Sequence, residues 1–469
     1  MLRLEKLKRI NLILLIIFVL ASCQSSQYQI GDIFSQVFKE NVDDSNLDQD
    51  LTDQVEGVIH SYKRSQPIFK TFTSENALEN IRLGVSNDPR VLSKLAALEM
   101  AKEDINISES FNKLQTSANL TGGLRTEDRT SEAAAAVVIS SNKVLYDFGM
   151  SEAQLRIASD SLELARLDTL MKAEEVGLNG IDIWVSFVKQ KQINKIYKDG
   201  LALAKPLLGQ IENISVSGVA DKTELLAAKE KYSRLQNGAN QAQSLFNAAE
   251  TEFFNFFNVS DVPKVEMLEG MVFPDSLISE SGKIMKSNLV QYQILSEKIL
   301  IEKMKALEGK DKPLLSFSSQ VMAPAKDTLD EGTLNAGLLV NYVFNDGGRN
   351  KAEIKKVEAE IISLNNKSTS VYFDLSKQFL LLEEEYKANQ KKKALMKELN
   401  DLAKEVRDTA KAQLISGRSS IKDVMNAEVS LAESQVELII ADADLITGSY
   451  RANAISGDFL PYIGWNIPQ

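Results

Sequence analysis

The feature that most constrains this chain is an internal repeat at a constant offset of 199 residues. At that offset Asp147 matches Asp346, and Gly218 matches Gly417. The offset holds from Lys113 onward over about a hundred residues, so no net insertion separates the two copies. The chain therefore uses one supersecondary unit twice.

Each copy of the repeat shows the same order of elements. In the first copy, Asp88 and Pro89 predict a helix start, because Asp is a favoured N-cap and Pro a favoured first helical residue. From Leu114 onward, apolar and polar residues alternate with a period of two, which predicts a strand. The charged segment 122–132 then predicts a loop, and a second strand over about 133–145 completes a hairpin.

The second copy shows this hairpin more clearly. Its outgoing strand carries Leu315, Phe317 and Val321 on one face, and the charged segment 323–332 predicts its loop. Such alternation around a long charged loop is typical of a membrane-barrel hairpin, although it also fits a soluble hairpin. The returning strand places six apolar residues on one face: Leu334, Ala336, Leu338, Val340, Tyr342 and Phe344.

The helices predicted after the hairpins are long. One runs from about Gly149 to Glu212 and the other from about Gly348 to Ala412, so each spans roughly 98 Å at ~1.5 Å per residue. Each leads through a glycine turn into a return helix of about 38 residues. The short helix before each hairpin has about 25 residues. Its length and that of a return helix together equal the length of one long helix. This match predicts a tube wall about 95 to 100 Å long. The aliphatic stripes on the long helices are expected to be core rather than a cofactor site.

The strand count predicts an oligomer. Four strands cannot close a barrel, and an open sheet edge is not tolerated in lipid. Several copies of the chain must therefore share one barrel. The predicted fold class is mainly α, with long antiparallel helical hairpins forming a tunnel and four strands per chain contributed to a small membrane β-barrel.

The N-terminus predicts a lipid anchor. Residues 1–9 are basic and 10–20 are apolar, which is the anatomy of a signal peptide over residues 1–22. The residues before Cys23 resemble a bacterial lipobox, in which the Cys thiol is acylated, and Gln24 after it points to the outer membrane. The alternative is a free cysteine at the end of an ordinary signal. Residues 23–73 are polar and acidic and predict an acylated tether.

Composition excludes several function classes. The chain has one histidine, His60, and one cysteine, so it lacks the partners for a Cys/His zinc site, a Cys-His pair or a Ser-His-Asp triad. A net charge of -11 argues against nucleic acid as a partner, because phosphate binding needs clustered Lys and Arg. We therefore expect no enzyme activity, no cofactor and no metal site.

Four motifs at fixed spacing resemble those of the TolC-like outer-membrane factor family. Segments 146–154 and 344–353 resemble its strand-to-helix signature, and 217–229 and 416–428 resemble its periplasmic tip turns. The resemblance covers roughly residues 74–456, divided into repeats at 74–273 and 274–457, with a tail at 458–469. It implies a homotrimer with a shared barrel of about 12 strands. It also implies an outer-membrane lipid environment and docking to a periplasmic adaptor fed by an inner-membrane pump.

The resemblance also implies functional residues at the tips. The entrance of the tunnel is implied at Asp423, Arg418 and Asn426, although Asn426 stands where the family often has a second acidic residue. The alternative for Asp423 is a solvated helix-start residue stabilised by the helix dipole. The turns implied for adaptor docking contain Ser217, Gly218, Val219, Ser416, Gly417 and Ser419.

The expected function is a passive exit duct of an efflux pump or a type I secretion system. The alternative is a non-conducting, lipid-anchored coiled-coil spacer of the periplasm, which explains the helices but not the hairpins. A lipoprotein hydrolase is a third reading, which the lack of histidine chemistry disfavours. The cargo does not follow from the sequence.

Overall fold

A computed structural model describes residues 76–127, 130–216, 222–259, 265–274, 284–324 and 333–468. Their backbone divides into two compact units. The sheet unit comprises 111–146 and 314–341, and the helical unit comprises the remaining described residues. The predicted signal peptide, Cys23 and the tether to residue 73 lie outside the described residues. Among the helices that the structure describes, none is both long and apolar enough to cross a membrane.

The described chain forms helices and strands in the predicted order. The helices are α1 (Ala77–Asn87), α2 (Pro89–Ser110), α3 (Met150–Val216), α4 (Lys222–Phe257), α5 (Asn288–Lys310), α6 (Arg349–Ile415), α7 (Ile421–Ile455) and α8 (Phe459–Tyr462). The strands are β1 (Gln115–Glu127), β2 (Thr130–Tyr146), β3 (Leu314–Pro324) and β4 (Thr333–Asn341).

Element boundaries confirm the 199-residue repeat. Met150 begins α3 and Arg349 begins α6, and each of these helices has 67 residues. The return helices begin at Lys222 and Ile421, again at the repeat offset. The long helices and the return helices are therefore confirmed to within a few residues of their predicted ends.

The four strands form one antiparallel sheet in the order β1-β2-β3-β4. The predicted loop at 122–132 is wrong, because β1 continues to Glu127 and β2 begins at Thr130. Gly122 and Gly123 lie within this ladder, opposite Ala135 and Ala134. Backbone groups complete the ladder whatever the side chains are, so a charged, glycine-containing composition did not end the hairpin.

β4 is shorter than predicted. It ends at Asn341, so Tyr342 and Phe344 follow the strand rather than belong to it. The pairing of β3 with β4 starts at Leu314 opposite Asn341, directly after Pro313. Proline has no backbone N–H to donate, so the ladder stops at this point.

Helix α1 was not predicted. The side chain of Asn76 caps it by accepting a hydrogen bond from the backbone N–H of Leu78 at 3.0 Å. Its inner face carries Ile81 and Val85, which are fully buried. The next helix begins as predicted, since Asp88 Oδ1 accepts from the backbone N–H of Arg90 at 2.8 Å.

The core of the helical unit lies along α3. This helix packs against α2, α4, α5 and α7, and its apolar face is buried as predicted. An aromatic cluster joins α3 to α4, with Phe187 stacked on Phe253 at 4.4 Å between ring centroids and Trp184 at 5.4 Å from Phe253. The C-terminal segment packs into the same core through Phe459 and Trp465, which are buried.

The described part of the connection between the repeats, residues 265–274, is neither helix nor strand and packs on this core through Leu268 and Met271. Side chains of the helices bind its backbone. Trp184 Nε1 donates to the carbonyl of Glu266 at 3.0 Å, and Tyr450 Oη donates to that of Glu269 at 2.9 Å. Asn453 Nδ2 donates to the carbonyl of Val272 at 3.0 Å. Both repeats thus hold the segment that joins them.

Candidate functional site

The turn between α6 and α7 is the tip turn that the structure describes. After α6, Gly417 adopts a φ of 72°. Its N–H donates to the carbonyl of Leu414 at 3.1 Å, and the N–H of Arg418 donates to that of Gln413 at 2.8 Å. This pair of bonds is a Schellman motif, which favours glycine at the left-handed position. Gly417 therefore has a conformational role at the tip.

A capping box starts α7 immediately after this turn. The backbone N–H of Asp423 donates to Ser420 Oγ at 3.2 Å, and Asp423 Oδ2 accepts from the backbone N–H of Ser420 at 3.1 Å. The hydroxyl of Ser420 also donates to Asp423 Oδ2 at 2.7 Å. These hydrogen bonds from Ser420 hold the pKa of the Asp423 carboxyl below its usual value. The side chain stays exposed and ionised at neutral pH.

The three residues predicted for the entrance lie close in sequence but do not form one cluster. Arg418 is exposed, and within the described residues no ion pair joins it to Asp423. Asn426 is half-buried one turn further along α7, and its buried Oδ1 has no hydrogen-bond partner in the described part of the chain. The geometry supports the helix-start role of Asp423, while an effect of its charge on conduction stays a prediction.

The tip is packed firmly behind this turn. Val424 and Ala427 of α7 pack against Ala410 of α6. Glu428, also on α7, is buried and forms an ion pair with Lys411 of α6. Ser416, Gly417 and Ser419 are thus presented on a rigid helical hairpin. The other predicted docking residues, Ser217, Gly218 and Val219, lie outside the described residues.

The sequence analysis missed an exposed apolar stripe on α6. Leu395, Leu399, Leu402 and Val406 recur at intervals of four, three and four residues, so they share one helix face. Each is between 42% and 59% exposed. The prediction that aliphatic stripes of both long helices form the core is therefore wrong for α6 within one chain. Spacing reports that a face is apolar but not what covers it.

This stripe lies at one side of the helical unit. α6 packs chiefly against α7 and α5, which in turn pack against α3. α2 and α4 also pack against α3, and α4 contacts α7 as well, but among the described residues neither packs extensively against α6. The helices of the first repeat, α2 and α4, therefore form one edge of the unit, and α6 of the second repeat forms the opposite edge. In the sheet unit, β1 and β4 are likewise the two edges.

The carboxyl groups of the described residues show one marked perturbation. No group of three His, Cys, Asp or Glu side chains there could hold a metal ion. One carboxyl group has a strongly shifted pKa, since burial raises that of Glu174 to about 7 while a hydrogen bond with Asn288 opposes the shift. A single shifted carboxyl in a helix bundle does not make an acid–base pair.

The fold matches solved outer-membrane channels. The chain aligns with the Campylobacter jejuni CmeC outer membrane channel over 83% of its own length and 89% of that chain, with a TM-score of 0.70 and 11% identity. For the outer membrane protein VceC of Vibrio cholerae the coverages are 83% and 97%, the TM-score 0.70 and the identity 10%. For CusC the coverages are 86% of this chain and 96% of that chain, the TM-score is 0.71 and the identity is 12%.

No family model and no curated protein matches the sequence. At 10–13% identity the likeness to these channels establishes the fold. The chain has the fold of these outer-membrane channels, with long helical hairpins and one four-stranded antiparallel sheet, as its motifs predicted.

Proposed function

We propose that this chain, which has the fold of the TolC-like channels, is one subunit of a closed exit duct in the bacterial outer membrane. The observation that carries this proposal is that, among the residues the structure describes, each unit has two edges on which no other element packs. In each unit, one edge belongs to the first repeat and the other to the second. Such opposite edges fit a head-to-tail contact that repeats around a ring.

In the sheet, the edge strands β1 and β4 each have one side on which no strand pairs in the described residues. All nine residues of β4 are exposed, among them Leu334, Leu338 and Val340. A row of unpaired backbone groups beside apolar side chains cannot face lipid. We propose that β4 of one copy pairs with β1 of the next, which would close the sheet into a barrel.

In the helical unit, the exposed apolar stripe of α6 would be stabilised by contact with another apolar surface. The opposite edge exposes Met100 and Ile107 on α2, and Leu226 and Leu245 on α4. Burying these faces against one another in successive copies would remove both from water. Three copies, as the family resemblance implies, would supply about 12 strands, enough for a small barrel.

The partners follow from the same proposal. The turn at 416–419 would dock a periplasmic adaptor that receives cargo from an inner-membrane pump. The acylated Cys23 would anchor each copy in outer-membrane lipid. Whether the pump belongs to an efflux or a type I secretion system is set by these partners, because a passive duct does not select its cargo.

Single-channel conductance in a planar bilayer tests the duct. We expect the detergent-purified mature protein to give discrete, cation-preferring current steps, because the chain is strongly acidic. Well-folded protein that gives no steps would reject the duct in favour of the non-conducting periplasmic spacer.

The same recording tests the charge of the tip. If copies of Asp423 face one axis, their carboxylates attract cations and narrow the entrance. We expect Asp423→Asn, which keeps an acceptor oxygen for the cap, to raise conductance and lower cation preference, and Asp423→Ala combined with Arg418→Ala to do the same. Ser420→Ala is the matched control, because it weakens the cap and keeps the charge. Unchanged currents in both Asp423 variants would reject the proposal that the tip residues form the entrance of the duct.

A further inference from the structure

One end of the helical unit carries a cluster of basic residues. We define the cluster as the Lys and Arg residues of 303–312, at the end of α5, and 349–358, at the start of α6. These segments contain eight Lys or Arg and four Asp or Glu, in a chain of net charge -11. The basic members are Lys303, Lys305, Lys310, Lys312, Arg349, Lys351, Lys355 and Lys356.

The first repeat is an internal control for this cluster. Its equivalent segments, 104–113 and 150–159, form the same helix ends with only two basic residues, Lys113 and Arg156, and three acidic ones. The same backbone thus forms without the other six positive charges. Four of the six form ion pairs with carboxylates of the same unit: Lys303, Lys305, Lys310 and Lys356. Within the described residues Arg349 and Lys351 form none, so these two charges call for a reason outside the fold.

The two segments of the cluster are held together in the structure. Asn350 is buried, and its Nδ2 donates to the carbonyl of Leu307 at 2.9 Å and to Asp311 Oδ1 at 2.8 Å. An ion pair between Lys310 and Glu353, at 3.4 Å, also joins α5 to α6. The end of α5 and the start of α6 therefore lie side by side, and Lys351 and Lys355 share one face of α6 there.

Two of these charges are unfavourable where they stand. Lys351 lies in the first turn of α6, where the helix dipole disfavours cations, whereas the neighbouring Arg349 interacts favourably with the carboxylate of Asp346. Lys351 and Lys355 are one turn apart and both exposed, which places like charges side by side. Within the described residues, neither lysine has an ion pair. A bound anion would reverse both of these unfavourable interactions.

Exposed aromatic residues directly precede the cluster. Tyr342 and Phe344 lie between β4 and α6 and contact each other edge to face at 4.7 Å between ring centroids. Phe344 is 90% exposed. Aromatic rings beside cationic side chains are favoured where a protein meets the headgroup layer of a membrane. A free anion in solution would give no reason for the rings.

We infer that the basic cluster and its two aromatic residues bind the headgroups of anionic phospholipids. Arg349, Lys351 and Lys355 would contact the phosphates, and Tyr342 and Phe344 would lie at the headgroup level. The inference rests on the proposed function, because it needs this end of the helical unit to lie at a membrane surface.

Native mass spectrometry tests this inference on the mature protein released from detergent micelles that contain equal amounts of phosphatidylglycerol and phosphatidylcholine. We expect retained lipid to be mainly phosphatidylglycerol. The variant Arg349→Gln, Lys351→Gln, Lys355→Gln is expected to lower the ratio of the two lipids by about tenfold or more, given the attraction of each basic residue to an anionic surface. Lys351→Gln alone is expected to lower it less.

The matched control removes three charges from the middle of the same helix: Lys391→Gln, Lys397→Gln, Lys404→Gln. It is expected to keep the preference. Equal retention of both lipids by the parent protein, an equal loss in the control, or displacement of the lipid by inorganic phosphate would each overturn the inference. Conductance recorded on the same samples separates the two failures, since loss of lipid preference in a conducting particle rejects only this site.

Discussion

Replacing Leu399 and Leu402 with glutamate is expected to convert the assembled protein into single chains. Both side chains belong to the exposed stripe of α6, so the fold of one chain does not depend on them. In the proposed ring they are buried against the next copy. Each substitution removes the free energy gained by burying a leucine side chain, about 1.5–3 kcal/mol, and adds a charge to an apolar interface. The association constant should fall by at least about a hundredfold.

The measurement is the particle mass in detergent as a function of protein concentration. A matched control, Gln378→Glu with Gln390→Glu, adds the same charge at exposed polar positions of α6. It should leave the assembly intact. If the stripe variant assembles as the parent does, the stripe is not the contact between copies, and another surface must be sought.

Truncating Phe253 to alanine should have the largest effect on the stability of the chain itself. Phe253 is fully buried, and its ring lies 4.4 Å from that of Phe187 and 4.6 Å from that of Phe257. Removing it leaves a cavity where α4 meets α3, which typically costs about 3–5 kcal/mol. Denaturant unfolding followed by circular dichroism should show a lower midpoint.

Phe253→Leu is the control for this substitution, because it keeps most of the apolar volume. This variant should lower the free energy of unfolding by only about 1 kcal/mol. Equal midpoints for the parent and the alanine variant would mean that α4 contributes little to the cooperative unit. The aromatic cluster would then not be the centre of the helical core.

The repeat made most of the fold predictable from sequence. Two copies of each helix start, such as Met150 with Arg349, constrain one another, so an error in one copy is visible in the other. Long helices also carry a strong periodic signal with few breakers. Even Pro206 lies inside α3 without ending it, because packing along the rest of this long helix outweighs one missing backbone donor.

The predictions that were wrong or missing concern elements whose limits depend on contacts distant in sequence, which a local sequence pattern does not show. Helix α1 is short, and it is stabilised by burial of Ile81 and Val85 rather than by its own propensity. The end of β4 is set by Pro313, which directly precedes the neighbouring strand β3 and lies 28 positions before Asn341. Strand limits follow from the partner, so a single strand's alternation overstates its length.

The candidate site was predictable in its position and in part of its chemistry. The turn at Gly417 and the helix start at Asp423 were both expected from the sequence. The reciprocal cap of Ser420 and Asp423 could have been predicted, since a Ser followed three residues later by an acidic residue is a capping-box signature. That Arg418 forms no ion pair with Asp423 follows only from the coordinates. The α6 stripe looked like core because a sequence does not distinguish apolar faces covered by the same chain from those covered by another.

The central claim is that one chain is an open segment of a closed wall, and counting the copies tests it most directly. Native mass spectrometry of the mature, detergent-purified parent protein should give a dominant species with three times the mass of one chain. A folded single chain as the dominant species at micromolar concentration would contradict the account, because β1, β4 and the stripe of α6 would then have no partner.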